Sequence, residues 1–170
     1  MAVIGLDLGG TKLASALFTE EGNILHRATD PLSGREGSGV GALIREAVMN
    51  VQEIANDRGV TIEGIGVSVP GIYSGSTGKV WAPNIPGWED YPLLQELRMA
   101  VEDEFPVRID SDRACYILGE VWKGHARGCR DAIFIAVGTG IGAGILVDGK
   151  ILRGANDIAG ATGWMALDRP

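Results

Sequence analysis

The chain opens in the same way twice. The stretch AVIGLDLGGTKLASALFTEEGNILHRA near its start and AIFIAVGTGIGAGILVDGKILRGA from Ala132 share one plan: apolar strand, glycine-rich turn, apolar strand, short turn, third strand. A repeated supersecondary unit constrains a fold more than any single motif does. Each copy reads as a three-stranded β-meander, with glycine where backbone must turn sharply or approach a ligand closely. Glycine is in excess, at 26 of 170 residues, and gathers where the apolar runs end.

Between the copies the pattern changes period. From Ser38, Val40, Leu43, Ile44, Ala47, Val48, Val51, Ile54 and Ala55 fall on one helical face, and Gly59 supplies a C-terminal stop. IEGIGVSVP reads as a buried strand, Pro70 to Trp88 as an irregular stretch, and Pro92 to Val101 as a short helix. FPVRID is a further strand. The helix that follows starts at Ser111 or Asp112 and is expected to face inward through Ala114, Ile117, Leu118, Val121 and Trp122. Strands and helices alternating after a meander predict an α/β layer. The expected division is a first lobe over 1–125 and, over 126–170, the opening hairpins of a second and incomplete one. The strands AIFIAVG and AGILV are apolar at nearly every position, the pattern of strands covered on both faces, and the remaining chain is expected to supply no cover. Self-association through the segment from Asp131 to Met165, hence a homo-oligomer, follows as an expectation.

Composition narrows the function classes. The formal charge of −7, with no basic cluster, argues against a nucleic-acid partner, which would require grouped Lys and Arg. No apolar run approaches the roughly 18 residues of a membrane span, and no secretory signal pattern is present, so a cytoplasmic, membrane-free protein is expected. Cys115 and Cys129 lack metal-ligand spacing and read as free thiols.

Glycine turns between strands can hold a triphosphate, because their amides point at anionic oxygens and no Cβ keeps the ligand away. In DLGGTK, Asp7 is placed to hold Mg²⁺ through water, with Gly9, Gly10, Thr11 and Lys12 beside the phosphates. In GTGIGAG, Gly138, Thr139 and Gly140 are the facing part. The plainer alternative is that each is only a tight hairpin. Neither is a commoner nucleotide motif: GLDLGGTK ends in Thr-Lys and runs into a strand, unlike a P-loop, and GTGIGA precedes a strand where a dinucleotide fingerprint precedes a helix.

Asp112 falls at a helix start, with Ser111 as N-cap, where the dipole favours the carboxylate anion. It suits a base that orients a hydroxyl nucleophile, or it merely helps to cap. The stretch from Pro70 is long and rich in Gly, Pro and aromatics. Asn84 could bond vicinal hydroxyls there and Trp81 or Trp88 offer an apolar face, or the loop packs on its own tryptophans.

Taken together these motifs resemble the ROK family (repressor, open reading frame, kinase). DLGGTK and VGTGIGAGI resemble its two phosphate motifs, VPG followed by APNIPGW its sugar loop, and DSDRACYILGE the segment of its catalytic aspartate. The resemblance runs from Val3 to Met165 in order. It implies an actin-like, ribonuclease H-like fold and ATP- and Mg²⁺-dependent phosphoryl transfer to a hydroxyl of a sugar or polyol. By it Asp112 is the base, Gly71, Asn84, Ser111 and Asp112 meet the sugar, and Asp7, Gly9, Gly10, Thr11, Lys12, Gly138, Thr139 and Gly140 serve Mg-ATP. Three positions depart from the family pattern: Ser111 stands for an Asn, Ala161 for a sugar-binding Glu, and Trp164 for a His that also binds zinc. A carboxylate–hydroxyl bond worth about 1.5–3 kcal/mol is thereby missing, which argues against glucose or N-acetylmannosamine as substrate. With Trp164 in place of His and no cysteine cluster, no zinc is expected. The alternative function is a non-catalytic, sugar-sensing or ligand-binding protein of the same family without a DNA-binding domain.

Overall fold

The computed structural model describes residues 1–138 and 140–165. By internal contacts the chain falls into two compact units, Met1–Asp110 and a second that begins at Ser111. The lobe boundary expected at 125/126 follows the chain repeat; the contact boundary lies earlier, because the helix after Ser111 groups with the second sheet.

In the first unit, β1 (Ala2–Leu8), β2 (Lys12–Thr19) and β3 (Ile24–Pro31) form the meander. β1 pairs antiparallel with β2, from Ala2↔Thr19 to Leu8↔Leu13. Helix α1 (Gly37–Asp57) crosses over to β4 (Ile62–Val69), which lies parallel to β1 with Asp7 opposite Ser68. A parallel pair needs such a long crossover. The five-stranded sheet runs β3-β2-β1-β4-β7 and is completed by β7 (Val107–Ser111). Ile4, Leu6, Leu8, Val67 and Val69 of the sheet are buried in one core with Val40, Ile44, Val48 and Val51 of α1. Gly59, at φ +64°, ends the α1 region, and the amides of Gly59 and Val60 return to the carbonyls of Asn56 and Ala55.

The stretch expected to be irregular contains a small hairpin of β5 (Ile72–Ser74) and β6 (Lys79–Trp81), followed by α2 (Leu93–Ala100). Three-residue strands are too short for a period-2 pattern to show.

In the second unit, α3 (Asp112–Lys123) lies on a meander of β8 (Ala132–Val137), β9 (Ile141–Val147) and β10 (Lys150–Ile151), ordered β10-β9-β8. A strand, not a helix, follows the second glycine turn, as the meander reading requires. The expectation that nothing covers these strands is corrected on one face. A Cβ at Gly144 would fall 2.0 Å from the Arg113 carbonyl oxygen and 2.9 Å from Ile117 Cγ2, so glycine lets α3 lie directly on β9. Phe134 of β8 also meets Tyr116 of α3, ring centroids 5.3 Å apart. On the other face Ile133, Ile135 and Val137 are 64%, 65% and 77% exposed. The inward stripe of α3 is also narrower than expected: Ala114 and Ile117 are buried, whereas Leu118 and Trp122 are exposed, because a sheet touching one side of a helix covers only part of its circumference.

Candidate functional site

The first glycine turn is closed by its own backbone, the Gly9 amide donating to the Lys12 carbonyl at 2.9 Å. Thr11 is tied to the next connection, its carbonyl accepting from Leu32 N–H at 2.9 Å. The amides of Gly10 and Thr11 have no protein acceptor among the described residues, and both residues are exposed. A donor pair at the tip of a turn is what an anionic oxygen needs. Asp7, one strand-end earlier, is exposed and accepts a 2.8 Å hydrogen bond on Oδ1 from Ser68 Oγ. Ser68 is itself buried, so it acts as a fixed peg for that carboxylate. Sequence reasoning passed over Ser68; the signal was a hydroxyl inside the apolar run of residues 65–69, which must find a partner once buried.

A cleft of about 350 Å³ adjoins this turn, lined by Gly10 and Thr11, by Ser33 to Glu36, and by Asn84 to Pro86. A Cβ on Gly10 would stand 3.8 Å from Asn84 Cβ, so the candidate phosphate turn and the candidate sugar loop are immediate neighbours. Arg35 and Glu36 of this cleft were not singled out from sequence, since nothing local separates them from solvated charges. Asp7, Gly9 and Lys12 do not line the cleft, and neither does Gly71. Glycine at 71 has a packing reason of its own: a Cβ there would lie 2.1 Å from the Trp81 carbonyl oxygen.

Trp88 decides between the two readings of this loop, in favour of packing on its own tryptophan. It cannot present an apolar face to a ligand, because it is fully buried, stacked on Tyr91 at 4.3 Å between centroids, with Nε1–H donating to the Gly37 carbonyl at 2.9 Å. Trp81 is half-buried. Tyr91 OH donates to Glu96 Oε1 at 2.8 Å, and Glu96 is ion-paired with Arg45 of α1. Burial, and then the Glu96 carboxylate, push the Tyr91 phenol up to about 12.

In the second unit Ser111 is the N-cap of α3, its Oγ accepting from Ala114 N–H at 3.3 Å. Asp112 is the first helical residue, half-buried, and its Oδ1 accepts from the Arg113 amide at 2.7 Å. The carboxylate therefore sits on the positive end of a three-turn helix. The turn between β8 and β9 holds Gly138, whose amide donates to the Gly140 carbonyl at 2.9 Å. A Cβ on Gly138 or Gly140 would meet nothing within 4 Å, so there is open space at both glycines. Thr139 lies outside the described residues, as does the side chain of Trp164. Ala161 begins a 3-10 turn over Thr162–Trp164, held on β9 by Ala143 N–H donating to the Gly160 carbonyl at 2.7 Å.

The model of the ROK family matches residues 3–170. The chain belongs to the ROK family. That family lies within the actin-like ATPase superfamily. Among curated relatives, a glucokinase of Halalkalibacterium halodurans is 36% identical over 172 aligned residues, covering 96% of this chain and 49% of the relative. Among solved structures, the ROK hexokinase from Thermus thermophilus is 34% identical with a TM-score of 0.82, over 98% of this chain and 54% of that one. A ROK family glucokinase from Streptomyces griseus, solved with glucose and AMPPNP, is 31% identical with a TM-score of 0.85, over 99% and 51%. This ROK chain thus spans about half the length of the curated relatives it matches. Both the α/β architecture and the order of motifs along the chain agree with family membership. No helix among the described residues is long and apolar enough to cross a membrane.

Proposed function

We propose that this chain is the front portion of an ATP-dependent kinase that phosphorylates a hydroxyl of a sugar or sugar-like polyol. The observation that supports the reading is the adjacency of Asn84, whose amide could bond a sugar hydroxyl, to Gly10, in a turn where two N–H groups have no protein acceptor among the described residues. Relatives named glucokinase support the class. The Gly10 and Thr11 amides would hold phosphate oxygens, with Gly9 shaping the turn and Lys12 adding positive charge. Gly138, Thr139 and Gly140 would take the corresponding part in the second unit.

The residues present suit Mg²⁺ with ATP. Asp7 has one oxygen engaged by Ser68 and one able to accept from a metal-bound water. Such an ion would be held chiefly by phosphate oxygens and water, with Asp7 as its nearest carboxylate. When bound, Mg-ATP supplies the phosphoryl group and the neutralising charge. Asn84 orients the sugar, with Gly71 and Ser111 contributing contacts. Asp112 accepts a hydrogen bond from the attacking hydroxyl and takes its proton late, as a loose transition state requires. Ala161 leaves a hydroxyl of the sugar without a carboxylate partner.

The second sheet is the opening of a second ribonuclease H-like lobe, cytoplasmic like the first. In the isolated 170 residues its bare face of Ile133, Ile135 and Val137 drives self-association. Asp112→Asn in the full-length protein tests the function. The variant keeps shape and loses the proton acceptor, so kcat should fall about 10²–10⁴-fold while nucleotide affinity stays within about twofold. ADP release at the wild-type rate would remove Asp112 from the chemistry.

A further inference from the structure

Asn84 is exposed, but the loop that carries it is anchored more firmly than its composition predicts. Four residues on, the fully buried Trp88 donates from Nε1 to the Gly37 carbonyl at 2.9 Å. The Gly37 amide in turn donates to the Pro86 carbonyl at 2.8 Å. One residue at the start of α1 is therefore gripped through both its donor and its acceptor by Pro86 and Trp88. Gly87 between them has φ +82°, and a Cβ there would come 3.1 Å from Gly37 Cα, so glycine at 87 lets the grip close; Gly37 itself, at φ +47°, also adopts a backbone that favours glycine.

A second anchor lies further along. The Trp88 ring is stacked on Tyr91, which is held by Glu96, which is paired with Arg45 a little over two helical turns along α1 from Gly37. Inside the loop, Ala82 N–H donates to Trp88 O, Ile85 N–H to Ala82 O, and Trp88 N–H to Ile85 O, at 2.8, 3.0 and 3.1 Å. The segment is closed on itself and bolted to α1, with only Pro83 and Asn84 left at the tip beside Gly10.

We infer that the Trp88–Gly37 clamp makes Trp88 a positioning residue for Asn84, holding its amide at the phosphate turn before substrate arrives. This rests on the reading of Asn84 as a substrate contact. A preorganised amide spares the sugar the cost of ordering the loop, so loosening the clamp weakens sugar binding and leaves the chemical step alone.

The test uses the full-length enzyme with two variants that open the clamp from different sides. Trp88→Phe keeps the stacked ring and removes the donor; Gly87→Ala pushes the loop off Gly37. Each should raise the sugar KM about five- to tenfold while kcat and the ATP KM stay within about twofold. Hydrogen exchange at the Ala82, Ile85 and Trp88 amides should quicken by about tenfold, with the Gly9 amide unchanged. Unchanged exchange in both variants overturns the clamp. Faster exchange with an unchanged sugar KM, or a fall in kcat at constant KM, overturns the positioning role. Asn84→Ala separates the two claims: a normal sugar KM there defeats Asn84 as a substrate contact, whatever the exchange data give.

Discussion

The two glycine hairpins share a sequence plan and differ in what surrounds them. The first belongs to a five-stranded sheet whose inner face is filled by α1 and whose turn is flanked by an anchored loop. The second belongs to three strands with one helix on one face and apolar side chains standing out from the other. In the first, glycine at the turn is a matter of neighbours, with Asn84 in van der Waals reach of Gly10. In the second, the turn glycines face open space and the crowded glycines, 142 and 144, lie within the strand. The same letter therefore does two jobs: at a tip it leaves open space, and inside a strand it lets a helix approach.

The sharpest way to break that contrast is to add one methyl group to each kind. Gly144→Ala drives a Cβ into the Arg113 carbonyl and should destabilise the second unit by about 1–3 kcal/mol, measured by chemical denaturation. Gly140→Ala should shift the same midpoint by less than about 0.5 kcal/mol. Equal effects would mean that α3 is not seated through Gly144.

The bracing of the first unit predicts a pH dependence. The Tyr91 pKa is raised from 10.0 to about 12, so the fold favours the neutral phenol. Its contribution is complete below about pH 10 and is lost as pH rises toward 12. Unfolding free energy should therefore fall by about 2 kcal/mol more in the wild type than in Tyr91→Phe over that interval. Parallel curves would show that the Tyr91–Glu96–Arg45 brace is not felt.

The bare face of the second unit predicts association of the 170-residue chain. Ile135→Lys places a charge in the middle of that face and should weaken association about tenfold, read by light scattering across a concentration series. A wild-type chain that stays monomeric would show the face needs no cover.

Much of the fold was legible because its signals are local. Alternation in AVIGLDL, the stripe of α1 and the stop at Gly59 each depend on residues within a few positions. Ser111 followed by Asp112 was readable as a helix start for the same reason. What escaped depends on distant partners. Trp88 reads in sequence either as a ring for a sugar or as packing for its own loop, and the partners that hold it in the core, Tyr91 and the far-upstream Gly37, are not legible there. Ser68 looks like a neutral strand residue until β1 and β4 lie in parallel with Asp7 opposite. Leu118 and Trp122 continue the apolar stripe of α3, but a stripe records what a helix can bury, and the neighbour decides how much it does.

Strand order carries one more consequence, for the sequence of events in folding. In the first unit β1 must wait for β4, so its central pairing closes only after the whole crossover through β2, β3 and α1 is in hand. In the second, β8, β9 and β10 pair in chain order across short turns, and α3 comes just before them. Short closures cost little entropy and form quickly, whereas the long one is slow. The second unit is thus built to reach its pairing through short closures alone, whereas the first has to bring β4 back to β1 across the whole crossover.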